Sequence, residues 1–572
     1  MQQKTWSVFF LMTGLITGCL AGLAQAAVLT TGDVVPSNPA TWAANTPVSI
    51  AKTANGSATV NGGSTVTTGL VDVASTFGVT GTLSVDGPGS TWNVGNLGLV
   101  TVATSSLPDN FAGGTGTVNI TNGGTVNATV FVGSAFNTTG SLNIASGGRV
   151  TKGVTLGDSN KSTGIMTIDG SGSSVGGGRT VSVGEKGNGF LKVLNGATIN
   201  SGTSSGIVAR YDTSASRGIV DGVGSSWTMG QLTIGQGMAN NGSGGVGLLT
   251  VSNGATLSNT RPAELGFRTG GTGIVMVNGA GTTWTSIAAP GSCSQFDPVC
   301  GLNIGVQGTG RVSVSDGATL TTNALGINNK STLTVDLGTG STVSVSGSTG
   351  TLTNDGTIRL AAKATAANGT YAPITAGTWN GAGTVQALGG VYNPTTHSVT
   401  VSSAATGQAG VATTIDPSVT QRMLITDSAT GQQVGASFQA TQTPSNISLI
   451  ASLMGPSQLS LLQGLLDPGK AVLGAWNFSA TGYTQGDPVY LSLQVGGGQK
   501  FYDLDVWHFD GTGWARYLNS DLAYDNKFAS FVANGFSGYA ISGLAAVPVP
   551  AAVWLFGSGL AALVGLARRR TV

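Results

Sequence analysis

Charge is what this chain lacks most. Its 572 residues hold 24 Lys and Arg against 23 Asp and Glu, 8% in total, where a soluble domain carries roughly 25%. The net charge is +1 and no basic patch or lysine run is present, so nothing offers a phosphate backbone a footprint and nucleic acid is excluded as a partner. Two histidines and three cysteines leave little for metal or thiol chemistry. There is no metal-ligand spacing, no phosphate-cradling glycine loop and no Ser-His-Asp constellation. We therefore expect no cofactor, no catalytic residue and no metal site. Helical periodicity is nearly absent as well, 456–466 ("PSQLSLLQGLL") being the one short candidate, with Ser457 as its N-cap. Hydrophobic residues still make up 40% of the chain, which separates it from the highly charged, apolar-poor composition of disordered proteins.

What replaces charge is glycine, 93 residues of it, with Ser, Thr, Asn and Val, a mixture suited to short strands and tight turns. One phrase recurs: "GSATVNGGSTV" at Gly56, "GTLSVDGPGSTW" at Gly81, "GTVNITNGGTV" at Gly116, "GSLNIASGGRV" at Gly140 and "GIMTIDGSGSSV" at Gly164. Further copies start at Gly189, Gly218, Gly247, Gly273 and Gly310. A second phrase, an apolar residue followed by glycine, falls between them, as at Val132-Gly133, Leu156-Gly157 and Ile304-Gly305. The commonest interval is ~24 residues, a solenoid period. In "GLLTVSNGATL", Leu249, Val251 and Leu257 share one face while Thr250 and Ser252 point away, the period-two alternation of a strand. Asn253-Gly254 supplies the turn. One such strand cannot bury its apolar face, but copies stacked at about 4.8 Å cover one another. The reading is a right-handed parallel β-helix over 27–400, with a sandwich or propeller as the alternative. Copies ending in tryptophan (Trp92, Trp227, Trp284) tend to alternate with copies ending in Val, Ile or Leu, so the true repeat is a pair of rungs. These tryptophans are read as core fillers, the alternative being an exposed aromatic ladder for sugar rings. Two insertions, near Pro108 and at 293–300, break the rhythm.

The two ends carry targeting signals. Lys4 precedes an apolar run from Trp6 to Leu23, and Ala24-Gln25-Ala26 fits a small-x-small cleavage site, which places an export signal at 1–26 and cleavage before Ala27. A lipobox-like Ile16-Thr17-Gly18-Cys19 is the rival. In an exported chain Cys293 and Cys300 are most simply a disulfide closing a surface loop. From 405 to 545 the repeat gives way to aromatic-rich strands, read as a small β-sandwich with a hairpin turn at Asp510-Gly511-Thr512-Gly513. Asp503, Asp505, His508 and Asp510 are the densest titratable cluster, yet alternation along a strand splits them between two faces. His397 is isolated. At the end, 551–567 is uncharged and long enough, at roughly 25 Å as a helix, to span a bilayer with its flanks. Arg568, Arg569 and Arg570 would hold its end in the cytoplasm.

The repeats over roughly 45–325 resemble those shared by autotransporter passenger domains and PEP-CTERM proteins of Gram-negative bacteria. The 405–545 region is similar to domains that precede PEP-CTERM tails. The tail at 546–572, with its motif Val547-Pro548-Val549-Pro550-Ala551, apolar helix and basic stop, resembles the PEP-CTERM sorting signal in its Val-Pro-Leu-Pro-Ala variant. That resemblance implies an exosortase-type processing enzyme and the general secretion machinery as partners, and transient inner-membrane anchoring through the C-terminal helix. It implies an exported protein of the cell surface or surroundings of a Gram-negative bacterium. The expected function is non-enzymatic, structural or adhesive, with extracellular polysaccharide of a matrix or biofilm as partner. The alternative is a polysaccharide-active enzyme on a β-helix scaffold, which requires paired carboxylates on one face.

Overall fold

Each repeat phrase builds one three-stranded coil, seen plainly in Thr139–Ala145, Arg149–Val150 and Val154–Leu156. The computed structural model describes residues 27–545 except for short segments at 96–98, 104–113, 212–213, 238–243, 294–296, 347–349, 416–420, 441–444 and 518–519. The export signal with Ala24 and Ala26, Cys19, the insertion around Pro108, the sorting motif from Val547 to Ala551, its helix and Arg568 to Arg570 lie outside the described residues. No helix among the described residues is long and apolar enough to cross a membrane. Successive coils stack every third strand into sheets of 14, 12 and 14 strands. The result is a parallel β-solenoid of about twelve turns, roughly 50–60 Å long at the strand spacing.

Register is set by a glycine column along the first sheet. Gly56, Gly81, Gly116, Gly140, Gly164 and Gly189 pair in sequence. A Cβ built at Gly140 would lie 2.6 Å from the Gly133 nitrogen, and one at Gly164 2.5 Å from the Gly157 nitrogen. The second phrase is thus the coil's third corner, where Gly133 and Gly157 take φ of 67° and 60°. That corner packs backbone to backbone on the glycine of the next strand. Two rungs fill the column with serine instead. Ser216 pairs with Gly247, and the amides of Gly189 and Gly310 donate to the hydroxyls of Ser216 and Ser331 (3.0 and 2.9 Å). This corrects the placement of one copy: Gly218 is not in the column but pairs with Leu191 and Leu249 at an inward position.

Gly218 has a packing role there. Trp92, Trp227 and Trp284 are fully buried, and Trp227 lies against the space that side chains at Gly206 and Gly218 would fill. The two glycines make room for the Trp227 ring inside the coil. The Trp92 and Trp284 indoles donate to Thr68 and Asn259 (2.8 and 3.1 Å), so these rings are core and offer no sugar ladder. One apolar cluster runs unbroken from Val34 to Val401.

The paired-rung period also has a cause. Where one rung turns through Asn-Gly, Ser-Gly, Asp-Gly or Asn-Gly-Gly, the next places a Ser or Thr after its second turn glycine. The amides of Gly63, Gly147, Gly196, Gly254 and Gly317 donate to the hydroxyls of Ser90, Ser173, Ser225, Thr282 and Ser341 at 2.9–3.1 Å. Both ends of the stack change direction of pairing. Ala27–Gly32 is antiparallel to Gly56–Asn61, and Ser398–Val401 joins two short strands in an antiparallel patch whose Val399 and Val401 close the core. Such caps keep the stack from growing end to end.

From Ala405 to Leu544 the chain forms two six-stranded sheets, antiparallel but for one pair. A single buried cluster draws on both. The helix Pro456–Gln463 is capped two residues earlier than its sequence signal suggests: Gly455 is the N-cap, Pro456 takes the first position and Ser457 lies inside the first turn. Proline there loses no hydrogen bond, since that N–H would have no intrahelical partner.

If backbone contact sets the register, Gly164→Ala must force two coils apart. We expect a loss of about 2–4 kcal/mol in chemical denaturation. Gly176→Ala, where a Cβ meets nothing within 4 Å, is expected to change stability by less than about 0.5 kcal/mol. Equal effects would refute the argument.

Candidate functional site: the seam between solenoid and C-terminal sheets

The outward positions of the first sheet change character along the solenoid. One column reads Thr59, Ser84, Asn119, Asn143 and Thr167 in the early coils and Lys192, Ile219, Thr250 and Met276 in the later ones. Ile219, Thr250, Met276 and Ser313 are buried because the C-terminal sheets fold back over this face. Met276 belongs to their core, with Leu248 and Ile274 packed against it. Thr250, expected to face solvent, is fully covered. The apolar outward residues Ile219 and Met276 were the readable signal of a second layer.

Polar groups fix the alignment. Asn278 and the Tyr524 backbone exchange two hydrogen bonds (3.1 and 3.0 Å). Arg217 donates to the Tyr502 carbonyl at 2.5 Å. Arg359 meets Asp521 at 3.3 Å and Lys363 meets Asp525 at 2.5 Å. Arg422, buried, donates to the carbonyls of Ser402, Lys363, Ala364 and Ala366 and to Asn368, tying the first of the C-terminal sheets to the solenoid's end. A cavity of about 160 Å³ remains beside Arg311, Arg359, Tyr517 and Asp521.

The charges in this seam perturb one another. Burial lifts the carboxyls of Asp316 and Asp336 to about 6. Burial pulls the Lys363 ammonium down, but Asp336, Asp525 and Asp316 together hold it above the ordinary lysine value. Burial also pushes Asp525 up, and Lys363 with two backbone amides outweighs it, so Asp525 is lowered.

Elsewhere, acids serve the coil. Asp86 accepts from Thr121 and Asn122, Asp169 from Asn195, and Asp221 from Ser252 and Asn253, all at 2.6–2.8 Å. Each carboxylate clamps the turn of the neighbouring rung. Cys293 and Cys300 are joined in a disulfide, Cα atoms 5.6 Å apart. Beneath their loop, the buried Glu264 carboxyl is lifted to about 8, mainly by burial and then by its hydrogen bond to Asp297.

The cluster at 503–510 does not converge. Asp505 pairs with Lys470 at 2.5 Å and lies 3.7 Å from Arg516. Asp510 caps its own hairpin through the amides of Thr512 and Gly513, which lower it to about 2. His508 meets the Ser537 hydroxyl at 2.7 Å, and no described carboxylate stands behind it. His397 stacks on Trp379, centroids 3.9 Å apart, with Tyr392 Oη 2.8 Å from its Nδ1. No group of three or more metal-ligating side chains occurs among the described residues.

The chain matches no family model, no curated protein and no solved structure. Its chemistry is therefore read from its own residues, and these concentrate charge in the seam rather than in an open cleft.

The seam titrates with a defined sign. Asp316 and Asp336 have folded values above the unfolded 3.8, so what they contribute is fully present below about pH 4 and is lost as pH rises through about 6. Asp525, lowered, contributes above its unfolded value and loses that contribution in acid. Asp336→Asn is expected to raise the calorimetric melting temperature at pH 8 by about 2–4 °C and to change it little at pH 4.5. A shift of the same size at both pH values would refute the charge argument.

Proposed function

We propose that this chain is an exported, surface-sorted, non-enzymatic structural or adhesive protein of an extracellular polysaccharide matrix. The observation that carries the reading is how the solenoid uses its few acids. Asp86, Asp169 and Asp221 are hydrogen-bonded to adjoining turns, while the uncovered early coils of the first sheet present a column of Thr, Ser and Asn. Such a rod offers many weak hydrogen-bonding groups and little charge. In this reading the coil is right-handed, the two C-terminal sheets are a sandwich that braces its later half, and 551–567 is a transient membrane helix.

The enzyme alternative draws no support from the hydrogen-bonded acid pair beneath the disulfide loop. Glu264 and Asp297 share a hydrogen bond, whereas glycoside cleavage needs carboxyls about 5–9.5 Å apart with the substrate between them. Glu264 is 4% exposed, so no sugar reaches it.

Export signal and sorting tail make the reading testable through the mature termini. Mass spectrometry of the protein recovered from the host surface or medium is expected to find Ala27 as first residue and a C-terminus at or before the motif Val547 to Ala551, without Arg568 to Arg570. A full-length chain retained in the membrane, or one that never leaves the cytoplasm, would overturn it.

A further inference from the structure

Where the solenoid ends against the C-terminal sheets, two cavities adjoin. The larger, about 460 Å³, is lined by Phe438, Ile447, Tyr483, Thr484 and Asp487, and the smaller, about 190 Å³, by Val385, Val391 and Tyr392. Gln439 and Ala440 line both. Their shared wall is held by main chain: Gln439 bridges to Leu388, and the Gly389 amide donates to the Phe438 carbonyl at 2.8 Å.

The aromatic rings here are fixed in advance. Tyr483 meets Phe536 edge-on at 4.8 Å and Phe438 at 6.3 Å, and its hydroxyl donates to the Asp487 carbonyl. Tyr392 is held by His397, itself stacked on Trp379. Rings pinned on both sides of an amide lose little entropy when a ligand settles on them. The larger volume lies in the usual range of small-molecule sites, and the smaller cavity beside it lies at the boundary between solenoid and C-terminal sheets, a position such sites favour. Among the described residues no lysine or arginine lines either cavity, and the one acid is Asp487. An anionic ligand therefore meets no counter-charge and one repulsive carboxylate. Apolar ring faces beside amide, hydroxyl and carboxylate acceptors suit a molecule with both C–H faces and hydroxyl groups.

We propose that this groove binds a neutral oligosaccharide. Tyr483 is the stacking platform of one subsite, Tyr392 borders the second, and Gln439 hydrogen-bonds between them. The inference deepens the matrix reading by naming the sugar class, and its binding test does not depend on export or sorting.

The test is isothermal titration calorimetry of the full chain with neutral tetrasaccharides of glucose, mannose and galactose, and with tetragalacturonate as the anionic counterpart. At least one neutral tetrasaccharide is expected to bind, with tetragalacturonate at least about tenfold weaker. Tyr483→Ala is expected to weaken binding about tenfold or more, while Tyr483→Phe, which keeps the ring, stays within about twofold. Tyr392→Ala should weaken the tetrasaccharide and leave the matching disaccharide unchanged, and Phe190→Ala, an exposed position of the first sheet seven strands away from Thr384–Leu388, should change neither. Absence of neutral binding, preference for tetragalacturonate, or full affinity in a folded Tyr483→Ala would overturn the proposal. Loss of matrix association in the host with intact binding in vitro would instead count against the functional reading alone.

Discussion

The closest constraint in this molecule is the approach of one coil's corner to the next coil's strand, backbone against backbone, at the glycine column. A side chain there would sit within about 3 Å of main-chain atoms at Gly81, Gly116, Gly140, Gly164, Gly189, Gly273 and Gly310. With that contact made, each strand can shift neither along its neighbour nor by one residue, since a one-residue slip would expose its apolar side. The unbroken core from Val34 to Val401 follows from it, as does the alignment of turns one above another. The serines at positions 216 and 331 show the constraint from the other side. A hydroxyl is accommodated only where it accepts the neighbouring glycine's amide.

Aligned turns then let side chains act between coils. Hydroxyls cap the amides of the adjoining glycine turns in alternate pairs, and Asp86, Asp169 and Asp221 clamp adjacent turns. Acids so engaged are acceptors with a structural task. With these acids tied to the turns, the outward column of the first sheet along the early coils, Thr59, Ser84, Asn119, Asn143 and Thr167, is polar and uncharged.

The scarce charges gather where the C-terminal sheets lie on the solenoid. Arg359 with Asp521 and Lys363 with Asp525 are partly or wholly desolvated pairs, and Asp336 and Asp316 stand beside them. Burying an ion pair gains little net stability over apolar packing, but removing one partner is costly. Such pairs define one alignment of the two units more than they glue them. That alignment also forms the smaller cavity, lined from both units, beside the larger one within the C-terminal sheets, so that Tyr392 and Tyr483 flank one groove.

Local pattern was enough to read the all-β solenoid, because period-two alternation, Asn-Gly turns and a ~24-residue interval each report on contacts within one coil or between identical coils. The burial of the three tryptophans and the weak helix at 456–466 were legible for the same reason, though the helix start slipped to Gly455, where proline geometry outranked the serine cap. The copy at Gly218 was misplaced because glycine serves two purposes here, closing a corner or making room for Trp227, and only the paired strands tell them apart. What tertiary structure alone decided is the seam. Arg217 and Tyr502, Asn278 and Tyr524, Lys363 and Asp525 are separated by hundreds of residues or by 162, and no repeat relates them. Periodicity carries information only between like units. Where two unlike units meet, partners are chosen by shape and desolvated charge, and these exist only once both have folded.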